Sequence, residues 1–541
     1  MTPRPAATLS GAPAASTPLT LPGHPHTHPV PARTPTNPAA GTPPERFDVA
    51  SKHLYLIGIG GCGLSGLARM LSARGALVSG SDRERSDATD ALADGGIPVG
   101  FDQTTPTLPD ACDLVVASAA IHPDHPQLLE AQRRAIPTLL YAEALGKCML
   151  GRSGVAVAGT HGKSTTTAML GAALVDAGLD PTVIVGATSR QLVRGSLGSS
   201  PTDEGTGFRL GAEAIPAGPL AGRPGLLLAE ACEFNRSFHN FRPTVASISS
   251  VEADHLDVYG TLDAVVEAFR DFARLLPPSS AGGRLLIAHD GAHRREVTAG
   301  LDCAVETIGF SPEADWIVQY DPVVRDVTVT HDRAVVGSWR NPLPGAHNAM
   351  NAATAFVLAR FLGADAAVAA SSLGAFAGID RRMQFLGERV VSGPAGPGPV
   401  RVYDDYGHHP TEIESTLRAL REAERPEAKG GRLICVFQPH QHSRTRHLME
   451  EFASSFSGAD VVIVPHIYFV RDSQAERQKV SAGDLVDRLR DKGVRAMHLY
   501  PFEAIIEQLE NLCRPGDLLV VMGAGPVWQV AKGYLAGGSA T

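Results

Sequence analysis

Residues 159–167 read GTHGKSTTT, which places a lysine and a hydroxyl directly after a glycine turn. In such a turn backbone N–H groups hold phosphate oxygens, the lysine contacts the β- and γ-phosphates, and the hydroxyl binds Mg²⁺. The full pattern G-x-x-x-x-G-K-[ST] needs a glycine at position 157, where this chain has Val157. We therefore predict a shortened phosphate loop that binds ATP. Its expected contacts are Gly159, Thr160, His161, Gly162, Lys163, Ser164 and Thr165.

A second glycine motif, G-x-G-x-x-G, lies between the apolar run HLYLI and the helix-like stretch LSGLARMLSARG. It consists of Gly58, Gly60 and Gly63, and Asp82 follows at the end of the next predicted strand. This context is typical of a dinucleotide fingerprint, in which glycines let the backbone approach a diphosphate. The pattern indicates a diphosphate more firmly than it indicates NAD, since a UDP-linked ligand satisfies the same physics. A tight structural turn is the alternative.

Acidic and imidazole side chains follow two further apolar runs. Glu230 and Glu233 come at the end of GLLLAEACEF, and His255 follows TVASISS in VEADHLD. The carboxyl edge of a parallel sheet is where α/β proteins bind ligands, so carboxylates there are natural partners for Mg²⁺. Solvated surface charge explains Glu233 equally well.

The segments PGAHNAMNAATA and GIDRRM carry side chains that suit a nucleotide. Asn348 and Asn351 lie one helical turn apart, and such amides can read an adenine edge or cap the helix; spacing alone favours capping. Arg381 and Arg382 are a pair of the kind usually found on a surface. Near a triphosphate, one guanidinium could stabilise charge on a transferring phosphoryl group.

Two histidine-rich turns, DDYGHHP and FQPHQHSRT, each follow an apolar run in the last third of the chain. Zinc sites usually combine tighter ligand sets, and no cysteine joins these histidines. We therefore favour a site for anionic or amine groups of a substrate over a metal site.

The elements that must position these residues alternate between short apolar runs and helix-like stretches, which predicts an α/β fold with parallel, doubly wound sheets. Three such units fit the 541 residues. We expect a Rossmann-like domain at 47–150, a phosphate-loop domain at 151–380 and a second Rossmann-like domain at 381–541. Residues 1–46, rich in Pro, Thr and Ala, are expected to be disordered. Residues 192–225 are expected to form a long surface loop.

Composition excludes several classes of protein. A net charge of −9 disfavours nonspecific nucleic-acid binding, which depends on Lys and Arg. Seven scattered cysteines without a C-x-x-C pair fit a reducing compartment. No apolar run approaches the roughly 18 residues of a membrane helix, and prolines interrupt the amino terminus where a signal peptide would need an apolar core. We expect a cytoplasmic protein without membrane insertion.

From about residue 50 onward, the ordered set of motifs resembles the Mur ligases, and within that family the members that add alanine. The short loop G-T-x-G-K-[ST] is standard in this family, which accounts for Val157. The resemblance implies that the first domain holds the UDP part of UDP-N-acetylmuramate and that the second binds ATP and Mg²⁺. The third domain would close over them and receive L-alanine. A monomer or weak homodimer is expected.

The resemblance also implies roles for individual residues. Lys163 would contact the phosphates of ATP, Asn348 and Asn351 the adenine, and Arg382 the γ-phosphate. Ser164 and Glu230 would bind one Mg²⁺ and His255 a second. The cleft near the incoming amino acid would be lined by Asp405, His408, His440 and Arg444. The UDP-sugar would contact Gly58, Gly60, Gly61, Gly63, Asp82 and Ser118.

The chain departs from the family pattern at a few positions. Gln441 and His442 replace a basic-aromatic pair, Tyr141 replaces an arginine, and Cys232 and Asn235 alter an acidic run. The first change lies near the expected amino-acid site. A recycling ligase that attaches a preformed peptide to the same sugar nucleotide is therefore an alternative. An NAD(P)-dependent oxidoreductase and a nucleotide-dependent switch without turnover are alternatives from other classes.

Overall fold

The computed structural model describes residues 47–193, 205–394, 396–470 and 472–537. The expected disorder of residues 1–46 lies outside this part of the chain. The described residues form three sheets in chain order, each flanked by helices. The α/β architecture expected from the alternation of apolar runs and helix-like stretches is therefore confirmed.

The first sheet has five parallel strands in the order β3-β2-β1-β4-β5. Each strand except β3 leads into a helix, so that the chain returns to the same edge of the sheet before each new strand, as a parallel sheet requires. The elements are β1 His53–Ile57, α1 Cys62–Ala73, β2 Leu77–Ser81, α2 Asp87–Asp94, β3 Val99–Gly100, β4 Leu114–Ala117, α3 Pro126–Arg133, β5 Thr138–Leu140 and α4 Tyr141–Met149.

The second sheet has ten strands in the order β15-β14-β13-β12-β11-β10-β6-β9-β7-β8. Its centre is parallel, whereas both ends carry antiparallel strands. The elements are β6 Ser153–Ala158, α5 Lys163–Asp176, β7 Thr182–Ser189, β8 Thr206–Arg209, β9 Leu226–Glu230, β10 Val245–Ile248, α6 Leu256–Tyr259, α7 Leu262–Ala273, β11 Arg284–Ala288, α8 Arg294–Thr298, β12 Ala304–Gly309, β13 Trp316–Tyr320, β14 Asp326–His331, β15 Ala334–Arg340, α9 Ala346–Phe361 and α10 Ala366–Gly374.

One sequence expectation needs correction here. Residues 192–225 were expected to be a surface loop, but β8 lies within them and pairs with β7 at the edge of the second sheet. Phe208 of β8 packs against Gly66 of α1. This contact ties an edge strand of the second sheet to the first domain, which glycine and proline content alone did not reveal.

The third sheet has six strands in the order β16-β17-β21-β18-β19-β20, and only the edge pair β16–β17 is antiparallel. The elements are β16 Gln384–Val391, β17 Gly398–Asp405, α11 Pro410–Glu424, β18 Leu433–Phe437, α12 His442–His447, α13 Met449–Ser454, β19 Val461–Val464, α14 Gln474–Arg477, α15 Ala482–Asp491, β20 Ala496–His498, α16 Phe502–Leu512, β21 Leu518–Met522 and α17 Trp528–Ala536. None of the helices in the described ranges has both the length and the apolarity needed to cross a membrane.

The hydrophobic cores explain how the motif loops are held. Buried residues of the first domain and of the second domain form one continuous cluster, in which Phe238 stacks on Phe272 and meets Phe269 edge-on. Each such buried aromatic side chain contributes roughly 1.5–3 kcal/mol through removal of apolar surface from water. The third sheet has a separate cluster on each face. Most of the motif loops follow the carboxyl ends of strands anchored in these cores, namely β1, β6, β9, β10, β17 and β18.

Candidate active site

The phosphate loop between β6 and α5 is built by two glycines with positive φ, Gly159 (+129°) and Gly162 (+81°). The Lys163 ammonium curls back over the loop and donates to the carbonyls of Gly159 (2.7 Å) and Thr160 (3.0 Å). It also lies 2.8 Å from Oε2 of Glu233. Burial by itself would lower the pKa of Lys163, but Glu233 outweighs it and the pKa is raised. The loop therefore presents a fixed positive charge.

Hydrogen bonds join this loop to the segment after β10. Thr160 N–H donates to the Ser250 carbonyl (2.9 Å), His161 N–H to Ser250 Oγ (3.1 Å), and Glu252 N–H to Thr160 Oγ1 (2.9 Å). The remaining predicted phosphate contacts, Ser164 and Thr165, lie in the first turn of α5. The loop is thus held by backbone contacts from a neighbouring strand.

The two predicted adenine contacts lie directly beside the phosphate loop. A Cβ on Gly162 would be 2.4 Å from Asn351 Oδ1, so only glycine leaves room for this amide. Thr166 Oγ1 donates to the same oxygen (3.3 Å), and Asn351 Nδ2 donates to Asn348 Oδ1 (3.4 Å). Asn348 Nδ2 donates to the Pro344 carbonyl (2.9 Å). These amides join the amino end of α9 to the phosphate loop, and their contact with adenine stays a prediction.

Carboxylates and an imidazole surround the lysine. Glu230 ends β9, and its Oε2 is buried without a hydrogen-bond partner among the described residues. Ligand atoms of Glu233, Asp254 and His255 lie within 4.8 Å of one another. Burial lowers the pKa of His255, which favours the neutral imidazole that can ligate a metal. Divalent cations such as Mg²⁺ prefer oxygen ligands. Both the unpartnered Oε2 of Glu230 and the cluster of Glu233, Asp254 and His255 therefore suit such an ion. Sequence reasoning proposed Glu230 and His255 but not Asp254.

The third domain reaches this cluster through the turn after β18. Arg444 donates from Nη2 (2.9 Å) and Nε (3.2 Å) to Oδ1 of Asp254. Its Nη1 lies 3.2 Å from His440 Nδ1, and the His440 ring lies 5.7 Å from that of His408. Burial alone would raise the pKa of Asp254, but His255 and Arg444 hold it well below its usual range. The structure thus brings the predicted His408, His440 and Arg444 together opposite His255.

Asp405 is placed differently from the other predicted cleft residues. Its two carboxylate oxygens accept from the backbone N–H groups of Met383 and Gly407, both at 2.7 Å. Burial raises its pKa to about 6. One oxygen therefore anchors the segment that joins the second and third domains, and the other fixes the loop after β17.

Glu412, in the first turn of α11, was missed by sequence reasoning. It accepts from Arg382 Nη1 (3.2 Å) and from the His408 backbone N–H (3.0 Å), and lies 3.5 Å from Nδ1 of His161 in the phosphate loop. Burial alone would raise its pKa, but Arg382 and His408 hold it well below the usual range. The only sequence signal was its place two residues after a proline, where a helix-capping glutamate is expected.

The diphosphate loop after β1 is held by its predicted partners. Gly60 N–H donates to Asp82 Oδ2 (2.7 Å), and Gly58 has φ +79°. A Cβ on Gly58 would lie 3.2 Å from Ser118 Cβ, so Ser118 closes the other side of the turn. Gly61 caps α1, whose amino end points into this loop.

Tyr141, at the start of α4, packs its hydroxyl against the same loop. A Cβ on Gly63 would lie 2.6 Å from Tyr141 Oη. Burial and the nearby Glu230 carboxylate raise the pKa of Tyr141. Cys232 is exposed, and Asn235 has φ +50°. Tyr141 and Cys232 therefore both lie near Glu230, where the first domain meets the second.

Gln441 and His442 lie at the amino end of α12 and are both buried. Gln441 has φ +68°, and its N–H donates to the Tyr468 carbonyl (3.1 Å). His442 Nδ1 lies 3.5 Å from Asp472 Oδ2, and its ring lies 5.9 Å from Phe469. The Gln441 backbone and the His442 side chain therefore contact the segment after β19, whereas the neighbouring His440 and Arg444 contact each other.

Comparisons with known proteins match this organisation. The family model for the Mur ligase family, catalytic domain, matches residues 53–153; the Mur ligase middle domain matches 157–359; and the Mur ligase, glutamate ligase domain, matches 381–525. The UDP-N-acetylmuramate–L-alanine ligase of Agathobacter rectalis is 36% identical over 488 residues, covering 89% of this chain and 97% of that protein. The same-named protein of Salinibacter ruber is 35% identical, covering 90% and 94%.

Solved structures show the same three-domain fold. A UDP-N-acetylmuramate-alanine ligase from Thermotoga maritima superposes with a TM-score of 0.68 at 22% identity, covering 90% of this chain and 98% of that one. A murein peptide ligase from Psychrobacter arcticus gives a TM-score of 0.65 at 23% identity, covering 91% and 99%. With three family models in order and relatives matched over nearly their whole length, this chain belongs to the Mur ligase family.

Proposed function

We propose that this protein is an ATP-dependent ligase that joins L-alanine to the lactyl carboxylate of UDP-N-acetylmuramate, a step of peptidoglycan precursor synthesis. The observation that carries the proposal is the convergence of three loops at one cleft. Lys163 of the phosphate loop, His255 of the second domain, and His440 and Arg444 of the third domain are linked through Asp254 and Glu233. The curated relatives named for this reaction support the choice of substrates.

The proposed reaction has two steps. A carboxylate is a poor electrophile because its leaving group would be oxide, so its oxygen first attacks the γ-phosphorus of ATP, giving an acyl phosphate and ADP. The amine of alanine then attacks the acyl carbon, a tetrahedral adduct forms, and inorganic phosphate leaves as the amide forms. In phosphoryl transfer, positioning and charge stabilisation supply most of the acceleration. Lys163 and Arg382 are proposed to supply that charge.

Mg²⁺ is proposed to be held by Glu230 and Ser164, and by His255 with its carboxylate neighbours. When bound, it neutralises the repulsion between the substrate carboxylate and the triphosphate. The unpartnered Oε2 of Glu230 supports the first position. The low pKa of His255 supports the second, because a neutral ring nitrogen is available.

The third domain is proposed to exclude water and to position the amine. An acyl phosphate exposed to water hydrolyses, so closure of the cleft protects it. The Arg444–Asp254 pair and the Thr411 Oγ1–Glu252 Oε2 hydrogen bond (2.7 Å) join the third domain to the second across the cleft. Burial lowers the pKa of His408 to about 4, which leaves its ring neutral near pH 7 but makes it a weak base. ATP and UDP-sugars are nucleotides of the cytoplasm, and we propose that location.

A recycling ligase that adds a preformed peptide is the competing assignment. The murein peptide ligase structure shares the fold, but its 23% identity carries no argument about substrate. The oxidoreductase hypothesis leaves the phosphate loop without a role. A switch without turnover is disfavoured by the placement of Lys163, Glu230 and His255 around one cleft.

The deciding experiment measures phosphate release from ATP with UDP-N-acetylmuramate and Mg²⁺, across L-alanine, glycine, L-serine and a tripeptide, with products weighed by mass spectrometry. The proposal expects release that depends on alanine and an alanyl product. Preference for the tripeptide in direct competition with alanine would favour the recycling ligase. Absence of an amide product with every amine would refute both.

A further inference from the structure

A second cleft borders the site described above and shares Arg382 with it. It has a volume of about 1000 Å³ and lies where the second domain, the third domain and the connecting segment 377–385 meet. Its walls carry seven basic and three acidic side chains. The whole chain has a net charge of −9, so this concentration of positive charge is a local property of the cleft.

The basic side chains come from both domains. Arg340 ends β15 and Arg325 directly precedes β14, both at the end of the second sheet, whereas Arg425 and Lys429 follow α11 of the third domain. Arg340 and Arg425 are exposed and form no ion pair with other described residues. Guanidinium groups that face one cleft without carboxylate partners repel one another, and a phosphorylated ligand would relieve that repulsion through bidentate hydrogen bonds.

An aromatic surface lies in the same cleft. Phe385, in β16, is 45% exposed, and the Arg401 guanidinium carbon lies 4.5 Å from the centroid of its ring. Its ring lies 5.3 Å from that of Tyr403, and both residues line the cleft. Exposed aromatic rings beside arginines are the combination that stacks a nucleobase while the cations hold its phosphates.

The cleft runs from Arg382, which also contacts Glu412 beside the phosphate loop, along α11 to Lys429. Glu412, beside the phosphate loop, and Glu422, in the cleft wall, are ten residues apart, or about 15 Å at the helical rise. Between them Ala419 packs so closely on Gly345 that a Cβ there would lie 2.6 Å from Ala419 Cβ. The Glu422 end of the cleft is therefore remote from the phosphate loop.

We propose that this cleft is a second nucleotide site, which binds a nucleoside diphosphate through the Phe385 ring and the guanidinium groups of Arg340 and Arg425. A ligand there contacts both domains and their connecting segment, so its binding would be coupled to closure of the third domain. The inference does not depend on the proposed reaction, because it concerns binding without turnover.

The test is the stoichiometry of ADP binding, measured by equilibrium dialysis with Mg²⁺. The wild-type chain is expected to bind two equivalents. The triple variant Phe385→Ala/Arg340→Ser/Arg425→Ser is expected to keep the first equivalent, which reports an intact fold, and to lose the second. A matched double variant at exposed arginines elsewhere, Arg223→Ser/Arg295→Ser, is expected to keep both. One equivalent on the wild type, or two on the triple variant, would overturn the proposal.

Competition experiments then identify which part of the nucleotide the cleft recognises. Excess UDP is expected to displace the second ADP equivalent, whereas inorganic pyrophosphate at equal concentration is expected to displace it at least tenfold less effectively, since it cannot stack on Phe385. Equal displacement by pyrophosphate would overturn the nucleoside part of the assignment. A further check is Arg340→Ser/Arg425→Ser with Phe385 retained, which should weaken the second equivalent at least tenfold; an unchanged affinity would contradict the role of the arginines.

Discussion

Arg444 of the third domain donates two hydrogen bonds to a single oxygen of Asp254 in the second domain, at 2.9 and 3.2 Å. Both side chains are buried. The two residues are 190 positions apart in the chain, so the pair exists only when the third domain lies against the second. Asp254 is adjacent to His255, and Arg444 also contacts His440. Closure of the third domain over the second therefore also assembles the candidate site.

Asp254→Asn should weaken this coupling without removing the side chain's shape. It leaves the Arg444 guanidinium buried without its counter-charge, which typically costs about 2 kcal/mol or more. We expect kcat/KM for the amino acid to fall about 30-fold, measured by phosphate release at saturating ATP. Asp257→Asn, at an exposed position three residues on, is the matched control. An unchanged kcat/KM in Asp254→Asn would show that the Arg444–Asp254 pair does not assist closure of the third domain.

Glu412→Gln should lower kcat at least tenfold. The carboxylate holds Arg382, the proposed γ-phosphate contact, and also the His408 backbone, and an amide supplies neither the charge nor the same set of acceptors. Glu414→Gln provides the control, because Glu414 lies on the same helix in an exposed pair with Arg418. Equal kinetics of the two variants would remove Glu412 from the proposed machinery.

The parts of the site that could be predicted from the sequence are those formed within a single loop. The turns at Gly58–Gly63 and Gly159–Lys163 are local, because glycine positions and the following helix determine where a phosphate can be held. Asp254, Glu252 and Glu412 were missed because each has a partner on another domain, namely Arg444, Thr411 and His161, and no spacing in the chain encodes contacts between residues 159 or 190 positions apart. The contacts of His442 with Asp472 and Phe469 were likewise hidden from the sequence, because only the fold brings these residues together, and an effect of Gln441 and His442 on the amino-acid site stays a prediction.

His161 should make stability depend on pH. Burial alone would lower its pKa, but Glu252 and Glu412 raise it from 6.5 to about 9. A raised pKa contributes stability that is fully present below pH 6.5 and is lost as the pH rises through about 9. A rise of this size corresponds to about 3 kcal/mol. In urea unfolding between pH 6 and 10, we expect the advantage of the wild type over His161→Gln to shrink with rising pH. A constant difference would contradict the charged pairing.

Lys163→Ala should abolish phosphate release while leaving affinity for the UDP-sugar nearly unchanged. The lysine contacts only the phosphate loop and Glu233, whereas the diphosphate loop is built by Gly60 and Asp82 in the first domain. Release is measured with a coupled assay and UDP-sugar affinity by calorimetry. Lys479→Ala, at an exposed lysine, serves as the control. Equal loss of both properties would show that the two ligands do not use separate domains.

Glu230→Gln should raise the concentration of Mg²⁺ needed for half-maximal activity about tenfold, since the affinity of an oxygen site for a divalent cation depends on the charge of its ligands. The amide keeps the size of the side chain, and the buried Oε2 has no described partner whose loss would disturb the fold. Phosphate release is measured against free Mg²⁺ at saturating ATP. Glu267→Gln, exposed on α7, is the control. An unchanged Mg²⁺ requirement in Glu230→Gln, with lower activity at every concentration, would move the metal to the Glu233–Asp254–His255 cluster.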